Sequence, residues 1–434
     1  MPRWMKITSF IVFVAAIGAG GWSWKKLNTA RSDVADDKVV LADITSPDPE
    51  AVKRGEYVMR TADCAACHTA DKGVFAGAYR ISTPFGDLLS SNITPDRESG
   101  IGKMTARDFF NAVRQGQGSK GLLYPAMPFT AYAKLTDQDM QDLWAYMATV
   151  KPVANKVDEN AGMPFPFNVR LVMAGWDVLF FDNSGFSAEN HLSALESRGK
   201  YLVDAGGHCS ACHSPRNSLG AEIDSAYLQG GRLGDWYAPD LTSSPHAGLG
   251  ARSAAEITEY LKTGEAGPVA TGPMAEAIEH SLQYMTDEDL QAIATYLKSL
   301  PAATDEKPPM IAATTPAMQR GALRYEVNCA ACHGVAGEGM GGMTAAFAGN
   351  HTLQSDDATN LIHVMLVGGR AASTHAKITG AGMPSFAWKM DDRQIAETLD
   401  YIRNSWGNSA APVEAAEVGR LRESLRAQSP LPQH

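Results

Sequence analysis

The sequence has no long basic run, and cysteine is scarce. Lysine and arginine number 38 against 48 aspartates and glutamates, which leaves a formal net charge of -10. Such a charge is a poor match for a polyanion, so we exclude nucleic acid as a partner. Only six of the 434 residues are cysteine, and all six belong to the three pairs described next. We therefore expect neither a disulfide framework nor an iron–sulfur cluster ligated by this chain.

The six cysteines form one pattern that occurs three times. Cys-x-x-Cys is followed directly by His at 64–68, 209–213 and 329–333. This is the attachment signature of c-type haem, in which two thiols bond to the porphyrin and His binds iron. A zinc site or a redox dithiol also uses Cys-x-x-Cys, but neither requires His after every pair. The sequence therefore predicts three covalently bound haem c groups. They are held by Cys64, Cys67, His68, Cys209, Cys212, His213, Cys329, Cys332 and His333.

Residues 1–30 contain a hydrophobic segment with basic residues on both sides. Its uncharged part runs from Ile7 to Trp24, a length between a signal-peptide core and a spanning helix. Small residues at 15–19 are compatible with cleavage, whereas Trp22 and Trp24 are typical of a helix end at a membrane interface. We expect a retained anchor, with a cleaved signal as the alternative. Because bacteria attach haem c outside the inner membrane, the haem domains are expected on its periplasmic side.

Each haem motif lies between two segments of helical character. The segment before the motif opens on Arg-Gly at positions 54, 198 and 320. The closing segment has apolar residues at helical spacing and begins at a residue that can cap a helix. This order resembles the cytochrome c fold, in which the first and last helices cross. We therefore predict an all-α architecture of three tandem cytochrome c-like domains after an N-terminal hydrophobic helix. The three caps are Thr136, Thr286 and Asp391.

An aromatic linker separates the first two predicted domains. Residues 168–181 are rich in large apolar side chains but too few to span a bilayer. Packing between haem domains is one interpretation, and contact with a partner or a membrane surface is the other. The predicted segments are an anchor or signal at 1–30, domain one at 48–153, the linker at 154–190, domain two at 191–304, domain three at 316–408 and a tail at 409–434.

A sixth iron ligand is predicted in each domain from a methionine beside proline. Proline stiffens the loop that would hold the thioether, and a His/Met pair raises the haem potential. Methionines on helix faces or caps are expected in cores instead. Those methionines are Met104, Met140, Met147, Met285 and Met390. The predicted ligands are Met127, Met274 and Met383, and the alternative histidines are His246, His280, His351, His363 and His375.

Short motifs outside the haem pairs carry a family resemblance. Ser91–Asp96 reads SNITPD, Ala238–Thr242 reads APDLT, and His213–Arg216 reads HSPR. With these, nearly the whole chain resembles the trihaem cytochrome c subunits of membrane-bound bacterial dehydrogenases. The resemblance implies a catalytic partner of the quinoprotein (PQQ), flavin or molybdenum type, and ubiquinone or a terminal oxidase as electron acceptor.

Two functions are compatible with such a chain. An electron-transfer subunit without a substrate-oxidising site of its own fits three haems whose axial positions are filled. A stand-alone multihaem oxidoreductase such as a peroxidase needs an open iron position and is the alternative. The three haem domains leave little chain for a substrate domain, so the electron-transfer role is predicted.

Overall fold

The computed structural model describes residues 37–303 and 307–428. The predicted anchor at 1–30 and the end of the tail lie outside the described residues. Among those that are described, no helix combines the length and apolarity needed to cross a bilayer. They form two compact units, one from 37–59 and 67–187 and the other from 60–66 and 188–428.

The first haem motif region lies in the smaller unit except for residues 60–66, which belong to the other unit. A 3-10 turn at Leu41–Asp43 precedes its first long helix, and another at Arg170–Val172 precedes its last. The helices are α1 Pro49–Thr61, α2 Cys64–His68, α3 Ala106–Gln115, α4 Phe129–Tyr132, α5 Asp137–Met147 and α6 Met173–Phe180. The strands are β1 Arg80–Thr83, β2 Gly86–Leu89, β3 Gln117–Gly118 and β4 Gly121–Leu122.

The larger unit contains the second and third motif regions, each around its own apolar core. A π-helical turn at Leu202–Gly206 follows its first helix. The helices are α7 Ala194–Tyr201, α8 Ser210–His213, α9 Ala254–Thr263, α10 Pro273–His280, α11 Asp287–Ser299, α12 Pro316–Asn328, α13 Ala330–His333, α14 Thr359–Val367, α15 Asp392–Arg403 and α16 Ala415–Gln428. The strands are β5 Gln229–Leu233, β6 Trp236–Asp240, β7 Gly369–Arg370 and β8 Gly382–Met383.

In each of the three regions, a glycine lets the helix before the motif touch the closing helix. The helix pairs are α1 with α5, α7 with α11, and α12 with α15. A Cβ on Gly55 would lie 1.9 Å from the carbonyl oxygen of Asp142, well inside atomic contact. The same construction gives 2.0 Å from Gly199 to Ala292 and 2.1 Å from Gly321 to the carbonyl of its closing helix. No other residue type fits at these crossings, which explains why the Arg-Gly pair recurs before each motif.

The arginine of each pair fixes the same crossing by an ion pair. Arg54 donates from Nε and a terminal nitrogen to Asp142, both at 2.8 Å. Arg198 binds Asp289 in the same two-pronged way at 2.8 and 2.7 Å. In the third region Glu397 accepts from Arg320, and also from Arg324 at 2.7 Å. Bidentate geometry fixes the orientation of both helices as well as their contact.

We expect Gly199→Ala to destabilise the second haem region. The added methyl cannot fit beside the Ala292 carbonyl unless α7 and α11 separate, and overpacking of this kind costs about 1–3 kcal/mol. Gly175→Ala is the matched control, because a Cβ there meets nothing within 4 Å and alanine favours a helix interior. Denaturant unfolding of the holoprotein should show a loss for the first variant only. Equal stability of both variants would contradict the helix crossing.

The ion pairs also predict a pH dependence. Hydrogen bonds from Arg320, with help from Arg324 and Arg393, lower the pKa of Glu397 to about 2 from its ordinary value of 4.5. A depressed carboxyl pKa stabilises the fold above the unfolded pKa, and this contribution is lost as pH falls from about 5 toward 2.

We expect Glu397→Gln to remove about 1–3 kcal/mol of stability at pH 7, since its carboxylate is buried but Arg320 is partly exposed. The difference from the unmodified protein should shrink as the pH falls toward 2. Unfolding free energies measured at several pH values test this. A difference that stays constant from pH 7 to pH 3 would contradict the depressed pKa.

The structure contains short antiparallel hairpins, which the all-α prediction did not include. Four two-stranded sheets occur within the described part of the chain. In the longest, Leu233 pairs with Trp236 across a two-residue turn in which Gly234 has φ of +57°. A positive φ at the first turn residue matches the twist of a hairpin, which explains glycine there. The protein is mostly helical, and the expectation that it would contain no sheet is corrected.

Candidate haem sites

Each Cys-x-x-Cys-His motif forms one helical turn. The first is α2, whereas in the second and third regions the first cysteine precedes α8 and α13 as the cap residue. The His213 amide donates to the Cys209 carbonyl at 2.9 Å, and His333 donates to Cys329 at the same distance. A helical bond of this type puts the histidine one turn after the first thiol. The two sulfur atoms and the imidazole therefore belong to one local scaffold.

The imidazole of each motif is oriented by a backbone carbonyl. The Nδ1 atom of His68 lies 2.8 Å from the Ser91 oxygen, and that of His213 lies 2.7 Å from the Pro239 oxygen. For His333 the partner is Ala345 at 3.1 Å. A carbonyl can only accept, so Nδ1 must carry the proton. The lone pair of each imidazole is then on Nε2, which is the arrangement needed for a metal-binding histidine.

Burial favours the neutral form of the three motif histidines and of two motif cysteines. Desolvation lowers the pKa of His68, His213 and His333, which favours the neutral imidazole that binds iron. Burial also raises the pKa of the Cys209 thiol to about 12 and that of Cys329 to about 11. A thioether sulfur carries no charge, so the donor set fits a covalently attached haem.

The three predicted axial methionines are half-buried, but their local structures differ. Met127 lies in a turn in which its amide donates to the Tyr124 carbonyl at 3.0 Å. Met274 was expected in a loop and instead occupies the first turn of α10, directly after Pro273. Met383 is the last residue of strand β8. Met274 packs on the same core cluster as Cys209, and Met383 packs on the core of the third region. Their binding to iron remains a prediction.

Two of the alternative histidines have other structural roles. Arg252 donates to Nδ1 of His351 at 3.2 Å. His363 points its Nδ1 at the Asp235 carbonyl, 2.9 Å away, and stacks on Trp236. Both side chains are therefore hydrogen-bonded within the protein. Among the residues that the structure covers, no group of three or more His, Cys, Asp or Glu side chains is arranged to hold a metal ion.

The carbonyl partners of the histidines were missed as functional residues, although two lie in motifs that had been singled out. Ser91 begins the SNITPD segment, and the Asn92 side chain there accepts from the Thr94 amide at 3.0 Å. Pro239 lies in the APDLT segment, where Asp240 accepts from the Thr242 amide at 2.6 Å. The first segment is a turn and the second is the end of strand β6, and each presents a carbonyl to the motif histidine. Ala345 has no such motif around it.

The linker around residues 168–181 packs inward on one side only. Trp176 and Phe181 contact Phe129 with ring centroids 6.3 and 5.2 Å away. On the other side Leu171 is 77% and Leu179 is 69% exposed. The segment therefore packs on the first haem region itself, and its contact with a partner or a membrane surface stays a prediction. We call the exposed large apolar side chains here the linker patch: Phe165, Phe167, Val169, Leu171, Val172 and Leu179.

Known proteins match the chain over most of its length. A family model described as cytochrome c matches residues 196–301 and 318–406, and one described as cytochrome c oxidase, cbb3-type, subunit III matches 50–147. The fructose dehydrogenase cytochrome subunit of Gluconobacter japonicus is 38% identical over 88% of this chain and 86% of its own length. The gluconate 2-dehydrogenase cytochrome c subunit of Pantoea cypripedii is 37% identical over 87% and 91%. The cytochrome c subunit of an alcohol dehydrogenase (quinone) from Gluconobacter oxydans is 37% identical over 86% and 83%.

Proposed function

The chain belongs to the family of cytochrome c subunits of bacterial dehydrogenases, and we propose that it is the trihaem electron-transfer subunit of a membrane-bound dehydrogenase complex. The observation that carries this proposal is the threefold site. Each of three helical turns presents two cysteines and a histidine whose Nδ1 faces a carbonyl. Three such turns in one chain provide three one-electron carriers.

The residues that would hold each haem follow from these turns and from the predicted methionines. Haem c supplies a one-electron couple when bound. The protein keeps the imidazole neutral and oriented, and hydrogen bonding to an axial ligand is one means by which a protein sets the potential. The proposed ligand sets are Cys64, Cys67, His68 and Met127; Cys209, Cys212, His213 and Met274; and Cys329, Cys332, His333 and Met383.

The substrate chemistry is assigned to a second subunit. Removing two electrons from an alcohol or a sugar requires a cofactor that accepts a hydride or an electron pair, such as a flavin, PQQ or a molybdenum centre. Relatives of this chain are cytochrome subunits of fructose, gluconate and alcohol dehydrogenases. In the proposed complex, the catalytic dehydrogenase subunit oxidises the substrate. This chain accepts the electrons from that subunit and transfers them to the electron acceptor.

Purification of the complex under mild conditions tests the proposal. A C-terminally tagged chain is extracted from membranes with detergent, and the co-purifying proteins are identified by mass spectrometry. We expect a flavin, PQQ or molybdenum dehydrogenase in stoichiometric amount. A chain that purifies alone and reduces hydrogen peroxide catalytically would support the peroxidase alternative instead.

We also propose a location on the periplasmic side of the inner membrane, with ubiquinone as the electron acceptor. The hydrophobic segment at 7–24 and the thioether chemistry support the location. The linker patch supports contact with a membrane surface or a membrane-bound partner, because contiguous exposed apolar side chains mark interaction sites.

Membrane retention is expected to depend more on the N-terminal segment than on the linker patch. Deletion of residues 2–26 behind a cleavable secretion signal should move most of the holoprotein to the soluble fraction, whereas Leu171→Ser with Leu179→Ser should weaken retention less. Leu323→Ser is the matched control, because Leu323 is 64% exposed and lies outside the linker patch. Immunoblots of washed membranes measure the partition. Full retention after the deletion would assign attachment to the linker patch or the partner.

A further inference from the structure

A helix of the third haem region holds a hairpin of the second. The Tyr237 amide donates to the Asn360 side-chain oxygen at 2.8 Å, and the Asn360 amide group donates back to the Tyr237 carbonyl at 2.6 Å. One turn later on α14, His363 stacks on Trp236 with ring centroids 3.8 Å apart and planes 26° apart. His363 also donates from Nδ1 to the Asp235 carbonyl at 2.9 Å. The tip of the β5–β6 hairpin is therefore fixed by α14.

The same tryptophan lies against the residue that precedes α10. Gly272 is the residue before α10 and has φ of +56° and ψ of −139°, a conformation open to glycine. A Cβ on Gly272 would lie 2.5 Å from a carbon of the Trp236 indole ring. The indole thus occupies the space next to the backbone two residues before Met274.

The far end of α10 is held by the third region as well. The Ser373 amide donates to the Glu279 carboxylate at 2.6 Å, and the His375 amide donates to the Gln283 side chain at 2.9 Å. Ala372 lies in one apolar cluster with Ala275 and Ile278, and Met274 packs against that cluster. The helix that carries Met274 is therefore anchored to the third region directly at its far end and through Trp236 at its near end.

We propose that Trp236 and His363 are positioning residues for Met274, so that a helix of the third haem region sets the sulfur–iron contact of the second. The His363 ring fixes the position of the Trp236 indole, and the indole limits the backbone conformation at Gly272. That backbone in turn orients the Met274 side chain. A thioether is a weak ligand whose binding depends on how firmly it is held, so loosening this chain of contacts lowers the population of the Met-ligated form. The inference rests on the proposed axial role of Met274.

Two variants at one position test the proposal in the full-length holoprotein. His363→Leu and His363→Phe both lose the hydrogen bond to Asp235, but only phenylalanine keeps a ring on Trp236. In the oxidised protein, methionine sulfur bound to haem iron gives a weak absorption band in the far red. We expect His363→Leu to lose the part of this band that the second haem contributes. The same variant should lower one reduction potential and admit carbon monoxide at one iron. His363→Phe should retain the band and the potential. A His363→Leu protein with all three features unchanged overturns the proposal.

A second pair at the other end of α10 covers the case in which His363→Leu yields no holoprotein. Glu279→Ala removes the acceptor for the Ser373 amide, and Glu279→Gln keeps one. The alanine variant should show the same spectral loss to a smaller extent and the glutamine variant should not. Identical spectra for both would count against the proposal.

Met274→Leu tests the axial role by itself. If this variant leaves every band intact, the ligand assignment fails. If it alone alters the band, only the positioning inference fails.

Discussion

Replacing Met127, Met274 or Met383 by leucine is expected to lower one haem potential and open one iron to carbon monoxide. Leucine conserves the apolar volume but has no sulfur lone pair. The potential should fall by on the order of 100 mV, a modest part of the ~0.8 V range over which axial ligands set haem potentials. The far-red band of the oxidised protein should decrease with each substitution.

Met140→Leu is the matched control for this series. Met140 is fully buried in α5 and is not predicted to bind iron. The control therefore makes the same Met-to-Leu change away from the predicted iron sites. Spectroelectrochemical titration should return three unchanged potentials for this variant. If any of the three test variants behaves like Met140→Leu, the ligand assigned to that domain is wrong.

The isolated chain is expected to show no dehydrogenase turnover with sugars, alcohols or aldehydes. Hydride and electron-pair chemistry requires a flavin, PQQ or molybdenum group, and these belong to the catalytic subunit in our proposal. With that subunit present, substrate should reduce all three haems and ubiquinone should reoxidise them. Steady-state assays with the chain before and after removal of its partner measure the contrast.

Traces of the catalytic subunit are the main source of error in that experiment. The chain should therefore be produced in a strain that lacks the partner gene and checked by mass spectrometry. Substrate oxidation by this preparation would contradict the electron-carrier proposal. Reduction by dithionite without reoxidation by ubiquinone would assign the acceptor to another protein.

Sequence patterns predicted the chemistry of the sites because covalent spacing determines it. The family membership is confirmed, whereas the assignment of the three motifs to three haems stays a prediction. The caps at Thr136, Thr286 and Asp391 are confirmed, because each side chain accepts an amide hydrogen bond in the first turn of its helix. These signals are local in the chain and need no tertiary contact.

The features that the sequence did not predict depend on contacts between distant residues. Nothing near His213 shows that the Pro239 carbonyl will face its Nδ1 atom. The hairpin that carries Pro239 is short, and its place is fixed by α14 rather than by strand propensity. Met274 was predicted in a loop stiffened by Pro273, yet Pro273 is the first residue of a helix, a position that favours proline.

Counting the electrons that one chain accepts tests the central claim most directly. In an anaerobic reductive titration of the purified holoprotein, dithionite is added in known amounts while the c-type absorbance bands are followed. The three Cys-x-x-Cys-His turns predict three electrons per chain at full reduction, distributed over three one-electron steps. A value of two or fewer for fully loaded protein would contradict the trihaem electron carrier.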